Sequence, residues 1–165
     1  MLRIARTSLL TMLFATVMAG IAQADLLQTS CGAPIESRII TASDPFQTTS
    51  KTFVRLHGAA LTVVVPVGQQ RCIKVRFTGG VTCKAPSGNQ SCFIRALAAG
   101  SEMDPQGREQ ALGGELLQPT GLGFQWIKRM GPGQHVIQIQ VRSVNVPETI
   151  TVGIDDWMMD VEVLN

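Results

Sequence analysis

The sequence predicts an all-β protein: an antiparallel β-sandwich or jelly roll of seven to eight strands with one long loop. Three observations carry this expectation. Short runs alternate apolar and polar residues, Gly, Pro and Asn punctuate several of the gaps between them, and helical periodicity is almost absent. The one helical candidate, around Arg108 to Leu117, is broken by Gly113-Gly114. Runs with one apolar face bury it by packing two sheets together.

Residues 25–52 are polar, carry Thr and Ser runs with Pro34 and Pro45, and read as a lead-in with a short edge strand around Ile39-Ile40. The sandwich domain is expected over residues 53–165. In Phe53–His57, Val54 and Leu56 share one face while Arg55 and His57 share the other. Leu61–Val65 follows, then Arg71–Phe77 with Ile73, Val75 and Phe77 inward and Lys74 and Arg76 outward. Cys92–Leu97 is the next run. In His135–Arg142, Ile137, Ile139 and Val141 oppose Gln138, Gln140 and Arg142. Thr149–Ile154 and Trp157–Leu164 close the series as two strands, the last placing Trp157, Met159, Val161 and Val163 against Met158, Asp160 and Glu162. Between them, Asp156 is expected to fix the turn by accepting backbone N–H groups, and Trp157 to start the final strand with its ring in the core. Residues 98–123 form the long connection, with an irregular edge strand around Leu116-Leu117 as the other reading, and a connection of that length is where a binding surface is sought first.

Residues 1–24 read as a cleavable signal peptide. Arg3 and Arg6 precede an uncharged, mostly apolar run ending in Ala22-Gln23-Ala24, a small-x-small cleavage pattern. No positive stop-transfer cluster follows, and no later run is long enough to span a bilayer. The expected location is therefore exported, periplasmic or extracellular. Of the 14 Lys and Arg, two leave with the leader, so the remainder balances the 12 Asp and Glu. A chain of zero formal charge has no face-wide positive field and is a poor partner for nucleic acid.

Cys31, Cys72, Cys83 and Cys92 all follow the leader, and an even number in an oxidising compartment suggests two bridges with three connectivities open. The Pro86 and Gly88 between Cys83 and Cys92 suit a loop clipped at its base, which favours Cys83–Cys92 with Cys31–Cys72. The spacings lack the paired short knuckles of a zinc site.

Catalytic chemistry finds little support. His57 lies on an outward face and His135 begins a strand, and neither has a nucleophile motif beside it. Asp155-Asp156 is the one adjacent carboxylate pair after the leader. With Glu102 and Asp104 it would serve a hydrolase or calcium only if loops brought the groups together, and the Asp-x-Asp-x-Asp grammar is missing. Met103, Met130, Met158 and Met159 have no copper-binding spacing. No metal and no cofactor is expected. There is no Tyr, and Trp126 is the better of the two Trp for an exposed sugar platform, although core packing is the stronger reading for both.

Trp126, the stretch Gly131-Pro132-Gly133-Gln134-His135-Val136-Ile137-Gln138-Ile139-Gln140, Ile154-Asp155-Asp156-Trp157 and Val161-Glu162-Val163 resemble a group of small exported bacterial domains of unknown function. The resemblance also touches Val75-Arg76-Phe77 and Cys92-Phe93-Ile94-Arg95, and so spans residues 53–164. It implies a β-sandwich, export, and a binding or structural role. Met158-Met159 depart from the polar alternation that the group shows after Trp157.

The functional expectation is a non-enzymatic exported protein acting through protein contacts, as an envelope or surface component or a small homo-oligomer. Trp126, Met158, Glu102 and Asp104 are its candidate surface residues. The alternatives are a carbohydrate- or small-ligand-binding module and a hydrolase using loop carboxylates.

Overall fold

The computed structural model describes residues 31–85, 92–106, 110–111, 120–144 and 149–165. The leader expected over 1–24 and the Leu116-Leu117 edge strand lie outside them. The protein is all-β, with two antiparallel sheets packed together. In chain order the strands are β1 (Pro34–Ala42), β2 (Phe46–Thr48), β3 (Val54–Val65), β4 (Arg71–Lys84), β5 (Cys92–Ala98), β6 (Ser101–Glu102), β7 (Gln110–Ala111), β8 (Thr120–Met130), β9 (Gly133–Ser143) and β10 (Thr151–Leu164). Among the described residues no helix is long and apolar enough to cross a membrane.

The first sheet, sheet A, has the order β1-β10-β4-β8, with β2 also pairing β10; sheet B has the order β3-β9-β5-β6, with β7 also pairing β5. The two apolar faces meet in one core, filled by Ile73, Val75, Phe77 and Trp126 from sheet A and by Ile94, Ile137 and Ile139 from sheet B. One corner is stitched by backbone: Asp104 and Ile127 exchange two N–H···O bonds of 2.9 Å, joining the segment after β6 to β8. Disulfides Cys31–Cys72 and Cys83–Cys92 tie the segment before β1 to β4 and β4 to β5. Two disulfides fit an exported protein.

Four sequence expectations change in outline. The boundary at residue 53 moves, because Cys31–Asn165 form one unit and β1 is paired along β10 from Pro34 to Ala42. The runs at Phe53 and Leu61 are one strand, β3, in which Leu56–Ala59 bulge out opposite Ile139, with Gly58 at φ +76°. The two closing strands are likewise one strand, β10. Finally, residues 98–123 are not a single loop, since they hold β6, β7 and the start of β8.

Candidate functional site

Strand periodicity sends Asp160 and Glu162 of β10 to the outward face of sheet A, where each is only 8% exposed. Their neighbours on β4 are Lys74 and Arg76. Lys74 Nζ donates to Glu162 at 2.8 Å, and Arg76 donates to Asp160 from Nη2 at 2.8 Å and Nε at 3.2 Å, while also pairing with Glu162. Ser37 Oγ of β1 donates to the other oxygen of Asp160 at 3.0 Å. Two acids of β10 and two bases of β4 thus neutralise each other, with Ser37 of β1 adding a hydroxyl donor. Removing Arg76 leaves two shielded carboxylates with one cation between them. Arg76→Met is expected to cost about 1–3 kcal/mol in urea unfolding, moderated because the Arg side chain is 45% exposed. The triple variant R76M/D160N/E162Q should recover part of that loss.

Along the β1 side of this face the residues alternate in an unusual sense. Glu36 and Arg38 lie on the core side, where they pair and Arg38 Nη1 donates to the Thr62 carbonyl of β3 at 2.9 Å. Inward charges on an edge strand oppose edge-to-edge pairing. Ile35 and Ile39 point outward and are 53% and 61% exposed, and Met158, two residues along β10 from Asp160, is 37% exposed.

Next to Met158 the β10 ladder is irregular: Asp156 and Trp157 together oppose the single residue Gly79. Asp156 sits at φ +43°, a left-handed conformation that Asp tolerates, and its N–H donates to Asp155 Oδ1 at 3.0 Å. The bulge turns Trp157 into the core, 2% exposed, stacked on Phe77 with ring centroids 6.0 Å apart. Gly79 has no room for a side chain here, since a Cβ would stand 3.0 Å from that of Trp157. The far edge of the indole lies beside Gly58, at the β3 bulge in the opposite sheet. Thr41, Ala42, Ser43, Asp156, Trp157 and Met158 line an open hollow of about 390 Å³ at this place.

The outward face of sheet B carries a second array. Cross-strand register sets Arg55, Gln140 and Arg95 side by side on β3, β9 and β5, with Arg142 and Phe93 paired in the next row. Arg95 donates to Gln140 Oε1 from Nη2 at 2.7 Å and Nε at 3.0 Å. Its guanidinium lies 3.9 Å over the Phe53 ring, and that of Arg142 lies 4.4 Å over Phe93.

The expected site residues are scattered rather than gathered. Trp126 is 2% exposed, stacked on Phe124 at 5.8 Å, so it is no sugar platform. Met158 is exposed at the bulge. Among the described residues no backbone N–H donates to the Asp156 carboxylate; Asp155 accepts from Asp156 instead, at a bulge within β10. Trp157 is buried as expected but lies within β10, six residues after its start, and does not begin a strand.

Glu102 and Asp104 stand near β8, with Lys128 Nζ donating to the Glu102 carbonyl at 2.7 Å. Following the register from Asp104 through Ile127 to Lys74 leaves six residues of β4 before Gly80, the partner of Asp155. That is about 20 Å along the strand, with three strand spacings across, so these carboxylates share no cleft and no ion. Among the described residues no group of His, Cys, Asp or Glu has metal-binding geometry. His57 is exposed, and His135 Nε2 is 2.8 Å from the Gly131 carbonyl. Sequence reasoning did not offer Ile35, Ile39, Phe53 or Arg95 as surface candidates. Alternation placed Gln140 and Arg142 outward, yet their neighbours depend on strand order.

The chain matches no protein-family model and no curated protein. A solved chain described as "EclA C-terminal domain; sugar-binding protein" is similar at 12% identity with a TM-score of 0.38, covering 87% of this chain and 89% of that chain. At that TM-score the similarity carries no argument about this protein.

Proposed function

We propose that the protein is a non-enzymatic binding component that acts by protein contact, through the outward face of sheet A beside β1. The observation that carries this reading is the exposure of Ile35, Ile39 and Met158 on one face of one sheet. Apolar side chains gathered on a rigid surface mark an interaction site more often than isolated ones do. The neighbouring cluster of Lys74, Arg76, Asp160 and Glu162 is internally neutral, so it neither repels a second copy nor demands a charged partner. The hollow beside Met158 offers a place for an anchoring side chain. A second copy is the first occupant to test, because one patch can meet itself across a two-fold axis. The scattered carboxylates support a role without catalysis.

Light scattering after size exclusion is expected to show an oligomer that I39E converts to monomer with an unchanged melting temperature. A photo-reactive side chain at position 39 should give a discrete adduct with a second copy. A strict monomer that forms no adduct at position 39 removes this reading.

A further inference from the structure

We propose that the outward face of sheet B binds a carboxylate-bearing polysaccharide through Arg55 and Arg95. This stands independently of the sheet A contact, since it uses the other sheet. The first ground is charge. The strands β3, β9 and β5 contain Arg55, Arg95 and Arg142 and no Asp or Glu, so the centre of this face is locally positive on a chain whose formal charge is +2 with its leader. The second is preorganisation. Phe53 supports the Arg95 guanidinium from below, and Gln140 Oε1 takes one edge of it through Nε and Nη2. Among the described residues Gln140 engages only the Nε–Nη2 edge, and the terminal Nη1–Nη2 edge is the one that meets a carboxylate in parallel, two-bond fashion. A held guanidinium loses less conformational freedom on binding than a free one.

The third ground is spacing. Arg55 and Arg95 flank Gln140 on neighbouring strands, which sets their backbones about 10 Å apart. That is comparable to the length of a disaccharide, so two carboxylates of an acidic glycan fall within reach of two guanidiniums. The Gln140 amide between them keeps its Nε2 to donate to hydroxyl groups, since its Oε1 already accepts twice from Arg95. Phe53 is covered by Arg95 on one side, which favours recognition by charge and amide over stacking of a neutral sugar ring. Three guanidiniums without a wider positive field fall short of what a nucleic acid needs.

The test is calorimetric titration of the purified protein with an oligogalacturonate, its carboxyl-reduced form and an oligothymidylate. The oligogalacturonate is expected to bind with an affinity that falls as salt rises. R55Q should bind about tenfold more weakly and R55Q/R95Q not measurably, while R129Q, an equal loss of charge on sheet A, should stay within about twofold. R95K keeps the charge but loses the planar fork, and should weaken binding several-fold. Should the Arg95 variants fail to fold, R55Q decides alone, because the Arg55 side chain is exposed. Equal binding of the reduced glycan, binding of the oligothymidylate as tight as that of the acid, no heat with any ligand, or an R55Q affinity like wild type overturns the proposal.

Discussion

The W157A variant is expected to melt about 10–20 °C below the wild type, a loss of about 3–5 kcal/mol. The indole reaches from Gly79 in sheet A to Gly58 in sheet B and stacks on Phe77, so its removal leaves a void between the sheets. Neither bulge can collapse into that void without giving up its ladder. A small domain has roughly 5–15 kcal/mol of stability to lose from, so W157A is a large fraction of the total. D156N is the matching control. Asn occupies left-handed backbone as readily as Asp, so D156N should melt close to wild type, whereas D156V, β-branched at φ +43°, should lose about 1–2 kcal/mol. Differential scanning calorimetry of the three variants separates ring packing from backbone geometry. A W157A protein melting within about 2 °C of wild type removes the packing account.

The second large effect belongs to the long-range disulfide. Cys31–Cys72 closes a loop of sequence separation 41, and Cys83–Cys92 one of separation 9. Chain entropy assigns the longer loop about 4 kcal/mol and the shorter about 2.5 kcal/mol. C31A/C72A is therefore expected to lose more stability than C83A/C92A in guanidinium unfolding. Both Cys72 and Cys83 lie on β4, so the two bridges hold the same strand at its two ends. The longer bridge also tethers residues 31–33, whose backbone exchanges bonds with Asn165 at the end of β10. An order of effects reversed between the two pairs would show that local geometry, rather than loop length, governs them.

Much of the fold was legible wherever alternation was clean. Strand β9 reads directly, because Ile137, Ile139 and Val141 are all buried and Gln138, Gln140 and Arg142 face the other way. Strand β10 misled at Asp155-Asp156, where two carboxylates signal a turn yet sit in a bulge that the ladder passes through. Strand β8 was hidden by Gly121, Gly123 and an inverted pattern: Lys128 lies on the core side, its ammonium escaping to the Glu102 carbonyl at the rim. Strand β1 was legible only around Ile39-Ile40, and its full length hid because Ile35 and Ile39 face outward while Glu36 and Arg38 lie toward the seam. Neither candidate surface follows from local pattern, since each needs the order of strands. Alternation says that Arg95 and Gln140 face outward. Only the pairing of β5 with β9 says that they touch.

The position of β10 governs when this protein can fold. Strand β1 finds its partners among residues 157–164, β2 among 152–154, and β4 along almost the whole of the same strand. A nascent chain halted before residue 151 can pair β4 with β8, but β1 and β2 have nothing to zip onto. Contacts so distant in sequence make folding slow and late. Until β10 is available β1 and β2 stay an open thread and sheet A lacks its central strand, even though every strand of sheet B is already present. Arrival of the fourteen residues of β10 then completes sheet A in one step.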